Sequence, residues 1–328
     1  MNIMVTGATG FLGSHVAQGL IKDGHEVSLL VRNPAKLIPD LQQCRIVKGD
    51  ILDLASIKAS LKGAKAVVHC AAYVGEWGPR EMYVQTNVQG TRNMIDACAA
   101  AGAKRFIHIS SNSVYGEGDR DNRDLVEETP YRKNGQFYGD SKVDSERLVF
   151  EAHAAGKIAA TAIRPSMIWG PRDRQFFPKI IEALSKGLMA YPGGGHKLIG
   201  LTHVDNIVDL VRLCLTNKIS SGRAYNVDDD DRRTMRDLVQ ALCARLGYKE
   251  PWLSVPTPMA KALAEISEFI GKTMKSQRPP LITKMGIGIL CYDNDVSVER
   301  AKKELGYHPQ DLFEERLDAY LQSYRAGE

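Results

Sequence analysis

Two side chains four residues apart, Tyr138 and Lys142, carry the most specific chemistry in the sequence. They open a helical pattern that runs to Ala155, and a spacing of four puts both on one helix face. A free phenol titrates near pH ~10 and is a poor base at neutral pH. An ammonium beside it stabilises the phenolate and lowers that value. A phenol tuned in this way exchanges the proton of an alcohol/ketone pair. Tyr-x-x-x-Lys by itself is a common surface pairing. Here it is accompanied by hydroxyls, because the apolar run Ile107-His108-Ile109 ends in Ser110-Ser111, followed by Asn112-Ser113-Val114-Tyr115-Gly116. Ser111 is the candidate to hydrogen-bond a substrate oxygen beside Tyr138, with Ser110 and Ser113 as competitors. Asn87, in Asn87-Val88-Gln89-Gly90-Thr91, is a candidate to hold a water or a backbone kink near the lysine. Plain helix packing is the alternative for that amide.

A second constellation lies at the start of the chain. The apolar run Ile3–Thr6 leads into Gly7-Ala8-Thr9-Gly10-Phe11-Leu12-Gly13 and then a helical pattern to Asp23. Gly7 permits a tight turn, Gly10 lets the backbone approach a pyrophosphate, and Gly13 lets the helix pack on the sheet. Free N–H groups and the dipole at the helix start favour an anion. Gly7, Thr9, Gly10, Phe11, Leu12 and Gly13 are therefore expected to hold a dinucleotide, with a nicotinamide ring exchanging hydride beside Tyr138. At the end of the second strand pattern, Glu26–Val31, an acid would bond both ribose hydroxyls. This sequence has Val31 and then Arg32, whose guanidinium suits a 2′-phosphate. The expectation is NADP(H), with NAD(H) as second candidate and a solvated arginine as the plain reading. Asp50, before Ile51, can accept the adenine amino group or cap a helix. Ala71 and Ala72, after His69-Cys70, allow close approach of a cofactor or simply pack tightly.

These residues need elements to position them. Apolar runs at Ile3–Thr6, Glu26–Val31, Arg45–Lys48, Ala66–His69, Arg105–Ser110 and Ala160–Arg164 alternate with helical patterns at Phe11–Asp23, Leu54–Leu61, Met82–Ala101 and Tyr138–Ala155. That alternation predicts an α/β fold, a Rossmann doubly wound parallel sheet, over residues 1–165. Residues 166–328 are expected to form a smaller α/β substrate lobe, interleaved with the first. Its helical patterns are Pro178–Lys186, Val204–Leu215, Met235–Leu246, Pro256–Lys272 and Ser297–Leu305. Pro256–Lys272 is amphipathic and precedes the break Arg278-Pro279-Pro280; a lid or membrane-facing entrance is one reading, ordinary packing of its apolar face the simpler one. Trp77, Tyr115, Trp169 and Phe176 are candidates for an apolar substrate pocket, together with Ser113. Each aromatic alone reads more readily as core.

The 328 residues are 44% apolar and 25% charged, with a net charge of +4 and no Lys/Arg run, which points away from nucleic acid. Six scattered cysteines form no CxxC pair, so neither a metal site nor a disulfide framework is expected, and a reducing, cytoplasmic setting fits. No apolar stretch reaches about 18 residues, so no integral membrane segment is expected. The chain opens directly on a strand pattern, so no cleavable leader is expected.

With these residues assembled, the chain resembles the extended short-chain dehydrogenase/reductase superfamily, the NAD-dependent epimerase/dehydratase family. The matching features are the Gly7–Gly13 turn, Asn87–Thr91, Ser110-Ser111 before Val114-Tyr115-Gly116, Tyr138-x-x-x-Lys142 and Arg164-Pro165 through Gly170-Pro171. The late Tyr225-Asn226-Val227 and Leu305-Gly306-Tyr307-x-Pro309 match too. The resemblance implies a Ser111/Tyr138/Lys142 triad, Pro165 among the cofactor-binding residues, and a homodimer built partly on the Tyr138 helix. The stretch Arg164–Asp173 is similar to the branch holding 3β-hydroxysteroid dehydrogenases, 2-alkyl-3-oxoalkanoate reductases and dihydroflavonol reductases, which handle hydrophobic alcohols and ketones. The alternative is a nucleotide-sugar epimerase that keeps its cofactor bound. Ile199 stands where such epimerases usually place a diphosphate-binding arginine. Ser111-Asn112-Ser113 replaces the Thr-Asp-Glu of sugar dehydratases. A cofactor sensor without catalysis would often lack the Tyr/Lys pair.

Overall fold

A computed structural model describes residues 1–116, 118–274, 276, 279–280 and 282–326. The first half alternates as its apolar runs require: β1 (Asn2–Thr6), α1 (Phe11–Lys22), β2 (Glu26–Val31), β3 (Arg45–Lys48), α2 (Leu54–Ser60) and β4 (Ala66–His69). A short α3 (Arg80–Tyr83) continues through a π-helical turn, Val84–Gln89, into α4 (Gly90–Ala100), where one unbroken helix was expected. Then come β5 (Arg105–Ile109), β6 (Asn122–Leu125), α5 (Phe137–Ala154) and β7 (Ala159–Pro165). The second half holds β8 (Met167–Trp169), α6 (Phe177–Ser185), β9 (Tyr191–Pro192), β10 (Leu201–His203), α7 (Val204–Thr216), β11 (Ala224–Val227) and α8 (Met235–Leu246). It closes with β12 (Ser254–Val255), α9 (Thr257–Thr273), α10 (Lys284–Cys291), β13 (Asn294–Val296), α11 (Glu299–Leu305) and α12 (Phe313–Ala326).

Seven strands form one sheet in the order β11-β7-β5-β4-β1-β2-β3, every pair parallel. Parallel strands covered on both faces need continuous apolar runs, and β1 shows the division. Ile3 and Val5 face a core shared with Val16 and Leu20 of α1 and Leu210 of α7; Met4 faces the other way, with Ile57, Met94 and Val149. A third core, around Trp169, Phe177, Leu238 and Phe313, belongs to the second lobe.

β7 ends at Pro165, beside the expected boundary, but the chain comes back. β11 adds the edge strand next to β7, α7 lies along α1, and Ala301, Leu305 and Tyr307 complete the first core. The C-terminal lobe is therefore laced into the sheet.

The packing of α9 differs from the simpler sequence reading. Its inward residues are Ala260, Ala264, Glu268 and Gly271, while Met259, Leu263, Ile266, Phe269 and Ile270 face water. The reason lies in the neighbours. A Cβ on Gly271 would stand 3.4 Å from the Trp77 ring, so close approach selects small side chains there. The Glu268 carboxylate turns inward because it accepts the Lys284 N–H at the start of α10, at 2.8 Å. The expected break after α9 includes Arg278, which lies outside the described residues; α9 itself ends at Thr273.

Candidate active site

The site forms where β4 and β5 end and α5 begins. Lys142 is buried, and its Nζ donates to the Ile109 carbonyl at 2.8 Å, which fixes it against the end of β5. The same Nζ lies 5.8 Å from the centre of the Tyr138 ring, one helical turn earlier. Burial pushes the Lys142 ammonium down to about 8, opposed by Cys70 and Glu146. Tyr138 is half-buried at the start of α5. Its neighbour Gly139 packs on the serine turn, where a Cβ would stand 3.2 Å from the Ser113 carbonyl oxygen. The structure thus brings the two motifs against one another.

Among the three competing hydroxyls, access separates Ser111. It is 9% exposed, against 3% for Ser110 and 2% for Ser113. Ser111 Oγ accepts the Ser113 N–H at 3.2 Å, which caps the short turn Asn112–Tyr115 and holds the hydroxyl at the strand end. The Ser110 and Ser113 oxygens are buried with no protein partner.

Asn87 does more than pack. Its Oδ1 accepts the Tyr73 N–H at 2.6 Å, and its Nδ2 donates to the Tyr73 carbonyl at 3.0 Å and to Ser141 Oγ at 2.9 Å. Ser141 passes the chain on to the Tyr138 carbonyl at 2.7 Å. The π-helical turn carries Asn87 at this junction, tying the loop after β4 to the Tyr138 helix. Gly90, three residues on, leaves room for Ile51, whose Cδ1 would lie 2.6 Å from a Cβ there.

The N-terminal turn is shaped for an anion. Gly7 has φ +75°, and a Cβ would stand 2.8 Å from the Ala71 N; a Cβ on Gly13 would stand 2.3 Å from the Gly7 carbonyl oxygen. Side chains at either position would break the turn or lift α1 off it. The start of α1 has no side-chain cap and no acid in its first turn, so its N–H groups and positive dipole end are available. A dinucleotide diphosphate would suit this cradle, with the Gly7–Gly13 backbone, including Thr9, Phe11 and Leu12, as the residues to hold it. Ala71 and Ala72, both half-buried, continue the same edge, and Pro165 is buried at the end of β7. Arg32 is exposed just past β2. Asp50 does not cap α2; Asp53 does, accepting from Ala55 and Ser56. One Asp50 oxygen accepts the Leu52 N–H at 2.9 Å.

Two of the expected pocket residues are corrected. Tyr115 is 0% exposed, and its hydroxyl donates to Asn226 Oδ1 and accepts from Arg164, both at 2.7 Å. Trp169 is also 0% exposed, stacked on Phe177, with its indole N–H on Asp229 Oδ2 at 2.9 Å. A side chain with no surface touches no substrate, and both belong to the core. Trp77 and Phe176 are half-buried.

Two supporting networks escaped sequence reasoning. His69 joins Thr6 Oγ1 (2.8 Å) to Thr91 Oγ1 (3.2 Å), and Thr91 donates to the Asn87 carbonyl at 2.6 Å. Burial, then the Lys142 charge, pushes His69 down to about 3, so it works as a neutral strut between β1, β4 and the Asn87 turn. Glu146, one turn beyond Lys142, pairs with Arg164 at 2.5 Å, both buried, and accepts from Tyr131 at 2.9 Å. Burial opposes the Arg164 charge, but Glu146 overrides it and holds the guanidinium firmly ionised. The only sequence signal was Arg164 in its Arg-Pro motif.

Comparison with known proteins places these features in context. Residues 3–228 match the profile described as the NAD dependent epimerase/dehydratase family. A 2-alkyl-3-oxoalkanoate reductase of Stenotrophomonas maltophilia is 31% identical over 326 residues, 97% of each chain. The human sterol-4-alpha-carboxylate 3-dehydrogenase, decarboxylating, is 30% identical over 331 residues, 98% of this chain and 87% of that protein. A UDP-glucuronic acid 4-epimerase of Bacillus cereus, solved with UDP-glucuronic acid and NAD, superposes with a TM-score of 0.79 over 100% of both chains at 23% identity, a likeness of fold.

Proposed function

The chain belongs to the NAD dependent epimerase/dehydratase family and is a nicotinamide-dependent oxidoreductase of the extended short-chain class, and from that premise we propose that it interconverts a ketone and an alcohol on a hydrophobic substrate. The observation that carries this reading is Lys142. It is a buried ammonium fixed to the Ile109 carbonyl, one helical turn from the Tyr138 ring. With its pKa near 8, it is mostly charged at neutral pH, and its field favours the Tyr138 phenolate. In the reducing direction Ser111 and Tyr138 hydrogen-bond the carbonyl oxygen, and Tyr138 gives it a proton. The bound dinucleotide supplies the hydride. Tyr138 and Lys142, with Ala71, Ala72, Asn87 and Pro165, would hold the nicotinamide side of that group, and Asp50 and Ile51 its adenine side.

Arg32, exposed and following Val31 with no carboxylate at the strand end, supports a preference for NADP(H) over NAD(H). Trp77 and Phe176, both half-buried, are the residues we assign to the substrate side; Ser113, 2% exposed, lies behind Ser111. Ketone reduction is favoured over nucleotide-sugar epimerisation because Ile199 is fully buried and apolar. We assign a homodimer built partly on α5, the Tyr138 helix, and a cytoplasmic setting. The six cysteines, all free, suit a reducing compartment.

A panel of hydrophobic ketones, sterols and nucleotide sugars, each with both reduced cofactors, tests the reading by loss of reduced-nicotinamide absorbance. Net consumption of NADPH with a ketone is expected, and Arg32→Asp should move the kcat/KM ratio toward NADH. Turnover of a nucleotide sugar with no net cofactor consumption would overturn it.

A further inference from the structure

α9 presents large apolar side chains to water. Met259, Leu263, Ile266, Phe269 and Ile270, with Met274 just past its end, recur at three- and four-residue spacing on one exposed face. Phe269 is 72% exposed and Met274 76%. A solvated helix ordinarily turns such a stripe inward, and a contiguous exposed ridge marks an interaction surface. Shallow hollows flank the ridge, one beside Ser267 and Ile270, the other beside Glu265 and Lys272.

Charge says what covers it. Residues 257–284 hold five cations, Lys261, Lys272, Lys275, Arg278 and Lys284, against two carboxylates, Glu265 and Glu268. That excess of three is most of the chain's net charge of +4. Glu268 is turned inward, 11% exposed at its side chain, while Lys272 beside it is 66% exposed. Lys284 lies 3.5 Å from Glu265, with its own side chain 55% exposed. Lys272 pairs with Glu268 at 3.2 Å and Lys284 with Glu265, so the positive excess counted in the sequence comes from Lys261, Lys275 and Arg278, in the same segment as the apolar ridge. A second copy presenting the same face would bring cation against cation, whereas an anionic lipid surface complements both features.

The ridge is joined to Trp77, which we assign to the substrate side. The Trp77 indole N–H donates to the Ser276 carbonyl at 3.0 Å, its ring lies against Gly271, and Lys272 Nζ stands 5.8 Å from the ring centre. We propose that α9 is a membrane-docking helix. Its ridge enters the boundary between headgroups and acyl chains of an anionic leaflet, with lysines on the headgroups, and the protein lies on the bilayer. Among the described residues no helix is long and apolar enough to cross one. The docking rests on α9 alone and goes beyond the ketone chemistry; together they let a lipid-dissolved substrate reach the Trp77 side of the site without crossing water.

Flotation of the full-length chain with vesicles of phosphatidylcholine holding about 30% phosphatidylglycerol tests this. The chain should rise with those vesicles, bind pure phosphatidylcholine roughly tenfold more weakly, and release in high salt. Ile266→Asp combined with Phe269→Asp should cut binding by about tenfold or more while turnover of a short, water-soluble ketone persists. Failure of the parent to float overturns the proposal, as does a double variant that floats equally well. So does a double variant that only splits an oligomer in light scattering, which makes the ridge a subunit interface. Flotation needs neither cofactor nor substrate, so a silent ketone assay beside normal flotation counts against the reaction alone.

Discussion

Two helices of nearly equal length, α5 with 18 residues and α9 with 17, hide opposite kinds of side chain. α5 buries Ser141, Lys142, Ser145 and Glu146; α9 buries two alanines, a glycine and one glutamate and shows its largest apolar residues to water. Polarity along the helix does not decide which face goes in. What decides is whether the neighbours satisfy a polar group or leave room for a large one. Around α5, Arg164 and Tyr131 meet Glu146, and the Ile109 carbonyl meets Lys142. Around α9, the Trp77 ring and the start of α10 leave space only for small residues and one carboxylate.

The contrast can be tested from its strongest consequence downward. Tyr138→Phe removes the proton donor and should lower kcat by roughly 10²–10⁴-fold, with the unfolding midpoint unchanged. Near-normal turnover in that variant refutes the assignment. Glu146→Gln strands the buried Arg164 charge and should cost about 3–5 kcal/mol in denaturant titration. A small cost there would mean that α5 tolerates unpaired charge and that the contrast with α9 is false.

The Lys142 charge makes a prediction with a definite sign. Its folded pKa, about 8, lies below its ordinary 10.5 because burial penalises the ammonium. Between those values the unfolded chain binds a proton that the folded chain does not, so this group makes stability rise with pH there. Wild type should therefore gain on the order of 2–3 kcal/mol relative to Lys142→Met between pH 8 and 10.5. Turnover should fall over the same range as the ammonium is lost. Parallel stability curves for the two proteins would show that Lys142 is not held at a cost. Phe269→Asp, in an exposed position, should change stability by no more than about 0.5 kcal/mol. A loss above about 2 kcal/mol would mean that the ridge is packed against the body.

Much of the sheet was readable from local pattern. β2, β3 and β4 have the bounds their sequence patterns predicted; β2 and β4, buried along almost their whole length, leave no polar gap, whereas β3 is a half-exposed edge strand. The return of β11 beside β7 was not readable, since four residues after a long excursion carry no mark of the strand they join. In the site, Tyr138 and Lys142 were visible because helical spacing is local. Glu146 and Arg164 are 18 residues apart, and Thr6 and His69 are 63 apart, so nothing short-range joins them. Tyr115 and Trp169 were misplaced in the pocket for a related reason. An aromatic near a strand end looks the same in sequence whether its ring faces a cleft or the core behind it.

The lacing of the late segments into the sheet bears on how the protein is made. Tyr307, which helps complete the first core, lies 142 residues beyond Pro165 at the end of β7 (307 − 165). A ribosome that has released β7 therefore still holds a nascent sheet whose β7 edge awaits β11 and whose core awaits Tyr307. The first core cannot close during translation from the N-terminal half alone, and its unfinished hydrophobic surface must be shielded until Tyr307 has emerged.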